Sequence, residues 1–145
     1  MLFIDCDDGH QLPVHQNLPV HQNLPGHQNG DQASPIVFLH GWTANHLEWS
    51  PFVRRLQKQF RLYRWDARGH GNTHEPPTPP TLARMARDLE QMLTQLDLSD
   101  ITLVGHSMGA LTAWQYLRDF GNGRIARLCL IDQSPRLLNA PDWPF

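Results

Sequence analysis

Cysteine is scarce in this chain, and long apolar runs and any dominant charge sign are missing. Two cysteines in 145 residues cannot build a disulfide framework. Cys6 and Cys129 each fall in an apolar run that reads as a buried strand, so both are expected as small core hydrophobes in a reducing compartment, with cytoplasm as the location. No apolar run approaches the length needed to cross a bilayer, so no membrane is expected as partner. The opening Met1-Leu2-Phe3-Ile4 turns acidic at Asp5, Asp7 and Asp8 and lacks a cationic flank, which argues against a secretory signal. A net charge of −2 without a basic cluster gives no electrostatic footprint for nucleic acid.

What is present is a regular alternation of strand and helix signals. Leu2 to Cys6 reads as a first strand, Asp8-Gly9 as a turn, and Gln11 to about His15 as a second strand. Pro35 opens a third strand, Ile36 to Leu39, ending in His40-Gly41-Trp42. Ser50-Pro51 supplies a cap and a first helical proline for a helix carrying Phe52, Val53 and Leu56. A fourth strand, Arg61 to Trp65, runs into Asp66-Ala67-Arg68-Gly69-His70-Gly71. Leu82, Met85, Ala86, Leu89, Met92, Leu93 and Leu96 then form an unbroken helical stripe. A fifth strand from Ile101, a helix through Phe120 and a sixth strand, Arg127 to Ile131, complete the series. Strands alternating with helices after an N-terminal hairpin predict one domain with a largely parallel sheet covered on both faces.

One segment stands apart. Leu-Pro-Val-His-Gln-Asn at 12–17 repeats at 18–23, and again at 24–29 with Gly26 replacing Val. The tandem repeat reads as an expansion of a surface hairpin segment. Its histidines, His15, His21 and His27, invite a metal hypothesis. With proline at every sixth position the segment favours polyproline II, which spaces successive histidines roughly 19 Å apart. Ligands of one zinc lie about 2 Å from a common ion, so no metal is expected there, and none elsewhere.

The chemistry concentrates at Ile101 to Ala110, I-T-L-V-G-H-S-M-G-A. An apolar strand breaks into Gly105-His106-Ser107-Met108-Gly109, and Leu111, Trp114, Leu117 and Phe120 follow at helical spacing. Strand, tight turn and helix are the context in which a G-x-S-x-G elbow lifts its serine hydroxyl to the top of a sheet. Ser107 is the candidate nucleophile. The pentapeptide alone would match by chance in about one chain in twenty of this length, and the bland alternative is a glycine-rich turn with Ser107 as helix cap.

Four motifs in register are far more specific. H-G-W at 40–42, D-A-R-G-H-G at 66–71, G-H-S-M-G at 105–109 and L-I-D-Q-S-P at 130–135 resemble the α/β-hydrolase superfamily in order and spacing. The nearest likeness is to serine esterases and cofactor-free perhydrolases. The resemblance implies an α/β-hydrolase fold, a mostly parallel sheet holding strands 1 to 6 of the usual eight with helices on both faces. It implies a core over residues 1–136 and the start of a cap over 137–145. It implies that Ser107 becomes acylated, with an oxyanion hole formed by the backbone N–H groups of Met108 and Trp42. The Trp42 indole either walls an acyl pocket or simply packs. Relatives that open haloalkanes or epoxides carry aspartate at the Ser107 position; serine points to esters or related acyl groups.

The resemblance places the catalytic acid after a seventh strand and the histidine after an eighth, both beyond Phe145. The chain by itself is therefore expected to be nearly inactive. Asp132, at the tip of the sixth strand, matches a position where some members carry the acid. His46 is the one histidine near the cleft mouth to consider as base. His106 is expected to point away from the cleft, His40 to brace its loop by hydrogen bonding, and Asp66, Arg68 and Gly69 to form a turn with a local ion pair. A small acyl substrate without cofactor, and self-association through an exposed sheet edge, are the partners expected. The competing readings are a non-catalytic hydrolase-fold remnant that binds an acyl ligand or another chain, and, among enzymes, a perhydrolase or haloperoxidase-like activity.

Overall fold

The computed structural model describes residues 1–19, 34–73 and 75–133. The second and third repeat copies from residue 20 onward, and the expected cap segment at 137–145, lie outside the described residues. Six strands form one sheet: β1 (Leu2–Asp5), β2 (Gln11–Asn17), β3 (Pro35–Leu39), β4 (Arg61–Trp65), β5 (Ile101–His106) and β6 (Ile125–Ile131). Three helices accompany them, α1 (Ser50–Leu56), α2 (Leu82–Gln95) and α3 (Met108–Phe120).

The sheet order is β1-β2-β4-β3-β5-β6, with β1 and β2 antiparallel and β4, β3, β5 and β6 parallel. The chain leaves β3 through α1 to β4 on one side, then returns through α2 to β5 on the other. Because such crossovers are right-handed, this reversal places α1 on one face of the sheet and α2 on the opposite face. The reversal also leaves the C-terminal ends of β3 and β5 side by side, where Leu39 pairs with Gly105. Open α/β sheets hold their ligands at such a switch point.

Strand β3 is buried throughout, as its apolar run predicts, and its alternate residues serve two cores. Ile36 and Phe38 pack with Trp49, Val53, Leu62 and Val104 beneath α1. Val37 and Leu39 join Tyr63, Trp65, Leu103 and the α2 stripe on the other face. Within that stripe Met85, Ala86, Leu89, Met92 and Leu93 are buried, and Leu82 and Leu96 pack at its margins. Thr81 caps α2 by accepting the Arg84 N–H at 3.2 Å.

Several local expectations change. Ser50 is the first residue of α1 rather than its cap, because a 3-10 turn at His46–Trp49, capped by Asn45 Oδ1, runs directly into the helix. The first repeat copy continues the expected second strand through Asn17: Leu12 to Asn17 lies in β2, the second arm of the β1–β2 hairpin, between β1 and β4, with Leu12 and Val14 fully buried. Cys6 is buried just past β1, but Cys129 is exposed, because β6 is the edge of the described sheet and five of its seven residues are exposed. The expected local ion pair at the end of β4 is also replaced. Buried Arg68 reaches away from Asp66 to Asp88 at 2.7 Å and to Asp8 at 2.8 Å, tying the β1–β2 turn to α2. Among the described residues no helix is long and apolar enough to cross a membrane.

Candidate active site

Ser107 stands between β5 and α3 with φ 48° and ψ −112°, a conformation sparsely populated by any residue with a side chain. The surrounding sequence holds it there. Its N–H donates to the Ile131 carbonyl at 2.9 Å, continuing the β5–β6 ladder, while its carbonyl accepts the Ala110 and Leu111 N–H groups that begin α3. The chain must reverse within one residue, and the flanking glycines allow it. A Cβ on Gly105 would lie 2.6 Å from the Gly109 carbonyl oxygen, and one on Gly109 would lie 2.1 Å from the Leu39 carbonyl oxygen. The G-x-S-x-G spacing is thus a packing requirement of α3 against the ends of β3 and β5.

Ser107 makes no side-chain capping bond to α3. Met108, the first residue of α3, has no hydrogen-bond acceptor for its backbone N–H among the described residues, and neither does Trp42. The loop that carries Trp42 lies against the elbow: a Cβ on Gly41 would sit 3.5 Å from Ser107 Cβ and 2.9 Å from His106 Nδ1. Two unused backbone donors therefore flank the serine, one at a helix N-terminus, where the peptide dipoles favour negative charge.

His40 braces that loop as the sequence suggests. Its Nε2 accepts the Ala67 N–H at 3.0 Å, which leaves Nδ1 to donate to the Gly41 carbonyl at 2.8 Å. Burial pushes the imidazole below its ordinary range, so the ring is held neutral in a single tautomer. Trp42 is 63% exposed, with its indole edge-on to His70 at 5.0 Å.

The His106 ring lies against the Glu48 carboxylate through Nδ1, and its Nε2 lies 3.9 Å from Asp132 Oδ2. Glu48 Oε2 also accepts the Gly41 N–H at 2.9 Å, so one carboxylate links the Gly41–Trp42 loop to the elbow. Sequence reasoning missed Glu48, because its position in a 3-10 turn carries no motif. Asp132 sits at the tip of β6 with φ 56° and an 83% exposed side chain.

His46 is not placed on the serine. Its Nδ1 lies 2.8 Å from Asp66 Oδ1, and its ring stacks on His15 with centroids 3.4 Å apart. No hydrogen bond between the Ser107 hydroxyl and a histidine is found among the described residues, and His46 is engaged by Asp66. Among the described residues the site brings together a strained serine, two amides without acceptors and a braced loop.

A parallel sheet with a switch point beneath a strand-serine-helix elbow defines an α/β hydrolase, and the chain belongs to that family, whose alpha/beta hydrolase fold model matches residues 34–145. It is 34% identical over 112 residues to a non-heme chloroperoxidase of Kitasatospora aureofaciens, covering 77% of this chain and 41% of that protein. A soluble epoxide hydrolase of Corynebacterium sp. (strain C12) is 31% identical over 108 residues, covering 74% and 37% of the two chains. Among solved structures, an esterase from Exiguobacterium antarcticum superposes with a TM-score of 0.83 at 29% identity, covering 99% of this chain and 49% of that one. The chain thus spans about half or less of the length of these relatives.

Proposed function

We propose that this chain carries the nucleophile half of a serine hydrolase acting on a carboxylic ester or related acyl group. Ser107 Oγ adds to the substrate carbonyl, the Met108 and Trp42 amides take the developing oxyanion, and expulsion of the alcohol leaves an acyl-enzyme that water cleaves. The observation that carries this reading is the forced backbone of Ser107 beside two amides that have no other acceptor among the described residues. The substrate is a small acyl compound, with no cofactor required.

A serine hydroxyl needs a base to accept its proton, and the described residues supply none. The base is therefore assigned to residues other than these, and Asp132 is the candidate acid. His46, bound to Asp66, is not proposed as the base. On its own the chain turns over substrate slowly or not at all, since loss of the histidine in a comparable triad costs on the order of a millionfold.

That same missing base favours a second reading, in which the chain binds an acyl ligand or another chain without catalysis, with self-association along the β6 edge. A fluorophosphonate probe separates the two. Labelling that disappears in Ser107→Ala supports the hydrolase; an unlabelled chain that still binds a carboxylate or ester supports the remnant. The likeness to a chloroperoxidase at 34% identity supports a third reading within enzymes, perhydrolysis. Peroxide-dependent turnover with a short carboxylic acid tests it.

A further inference from the structure

His15, His46 and Asp66 come from three separate parts of the chain: β2, the 3-10 turn after the oxyanion loop, and the residue after β4. Their nitrogen and oxygen atoms all lie within 4.8 Å of one another. The Asp66 carboxylate is fully buried, with Oδ1 2.8 Å from His46 Nδ1 and Oδ2 3.5 Å from His15 Nε2. Its other contacts are backbone amides, His46 N–H on Oδ1 at 2.8 Å and Asn72 N–H on Oδ2 at 3.0 Å, which fix the carboxylate without consuming all its lone pairs. His15 Nε2 is buried without a hydrogen-bond partner, an arrangement that ordinarily signals a missing ligand. Arg64, the nearby cation, directs its guanidinium to Asn17 Oδ1 at 2.8 Å and the His46 carbonyl at 3.5 Å, and forms no ion pair with Asp66 among the described residues.

The geometry points to a binding site for a divalent transition metal ion of the zinc class, held by His15 Nε2, His46 Nδ1 and one Asp66 oxygen. Two imidazoles and a carboxylate match zinc and its neighbours, whereas magnesium and calcium prefer all-oxygen shells. Ligand atoms around one tetrahedral zinc sit roughly 3.3 Å apart, close to the two N···O separations found here. Each imidazole binds as the neutral tautomer protonated on its other nitrogen, and a water completes the shell. The two rings are parallel within 9°, so their lone pairs run side by side, and one ring must tip about its Cβ–Cγ bond to share an ion. His46, leading into the 3-10 turn, exchanges its contact with Asp66 for the metal. The bound ion would then join β2, β4 and the oxyanion loop at one point. This site stands apart from Ser107, and its test does not depend on any hydrolase activity.

The experiment is a calorimetric titration of the full chain with zinc sulfate in a non-chelating buffer at neutral pH, repeated with cobalt chloride and read by visible absorption. Expected are one zinc per site, four-coordinate cobalt bands, and a rise in Tm with zinc but not with magnesium or calcium. His15→Gln and His46→Gln each weaken zinc by more than about a hundredfold, exceeding the usual effect of losing an outer-shell group. They replace Asp66→Asn, which would disturb the buried amide contacts. Circular dichroism confirms that both histidine variants remain folded. His21→Gln combined with His27→Gln keeps this site intact. Absence of stoichiometric binding, binding unchanged in His15→Gln and His46→Gln, or binding abolished by removing His21 and His27 each overturns the proposal.

Discussion

Glu48 and His106 meet between the Gly41–Trp42 loop and the elbow, with Glu48 Oε1 against His106 Nδ1 and Glu48 Oε2 accepting the Gly41 N–H at 2.9 Å. The loop bearing Trp42 is otherwise anchored through His40. Glu48 is a second anchor, through the Gly41 N–H. Glu48→Ala leaves the partly buried Gly41 amide without its acceptor, a loss of about 1.5 to 3 kcal/mol for a hydrogen bond to a charged group. Thermal unfolding followed by circular dichroism should show Tm lowered by several degrees. Glu48→Gln should fall less, because its amide oxygen still accepts from Gly41.

Arg68 binds Asp8 and Asp88 in one buried fork, and Thr78 Oγ1 donates to the same Asp8 carboxylate at 2.5 Å. The Arg68 hydrogen bond, with help from Thr78 and the His10 N–H, holds the Asp8 carboxyl well below the usual carboxylate range against the opposing effect of burial. A carboxyl whose folded pKa is depressed stabilises the fold above its unfolded value near 4, and that contribution fades as pH falls through the window below it. Urea midpoints should therefore start to drop as pH falls below about 5, where the unfolded carboxyl begins to protonate, and keep dropping toward about pH 2.5. Asp8→Asn should flatten that decline while lowering stability at neutral pH.

The two cysteines provide a sharper contrast. Burial, reinforced by the neighbouring Asp88 carboxylate, pushes the Cys6 thiol up to about 12, while Cys129 lies exposed on β6. At pH 8 only about one Cys6 in ten thousand is thiolate. Iodoacetamide should give one adduct per native chain, on Cys129 by peptide mass, and a second only in denaturant. Equal modification of both residues in the native state would contradict the burial of Cys6.

Patterns with local causes were readable in the sequence. The α2 stripe, the β3 run and the strand-serine-helix break each depend on periodicity or steric necessity over a few residues, and each element stands where those residues place it. What was not readable depends on contacts distant in sequence. Arg68 finds Asp8 sixty positions away, although Asp66 is two residues off. In the sequence His15 stands beside His21 and His27 of its repeat, whereas the sheet brings it to His46 and Asp66. Cys129 looks like core by composition, and only the edge position of β6 exposes it.

Ser107 is held at φ 48° and ψ −112°, and such a backbone costs on the order of 1 to 3 kcal/mol for a residue with a Cβ. Because its hydroxyl caps nothing, removing that hydroxyl should cost the helix little. Ser107→Ala keeps the Cβ and hence the strain, so its Tm should match the parent within a degree or two. Ser107→Gly relieves the strain but adds unfolded-state freedom of about 0.5 to 1 kcal/mol, so a net gain of roughly 1 kcal/mol is expected. The Gly-minus-Ala difference in denaturant midpoint isolates the backbone term, since both variants lack the hydroxyl. A glycine variant no more stable than the alanine variant would mean the elbow is unstrained, and would remove the main physical reason for treating Ser107 as a nucleophile rather than a residue in a turn.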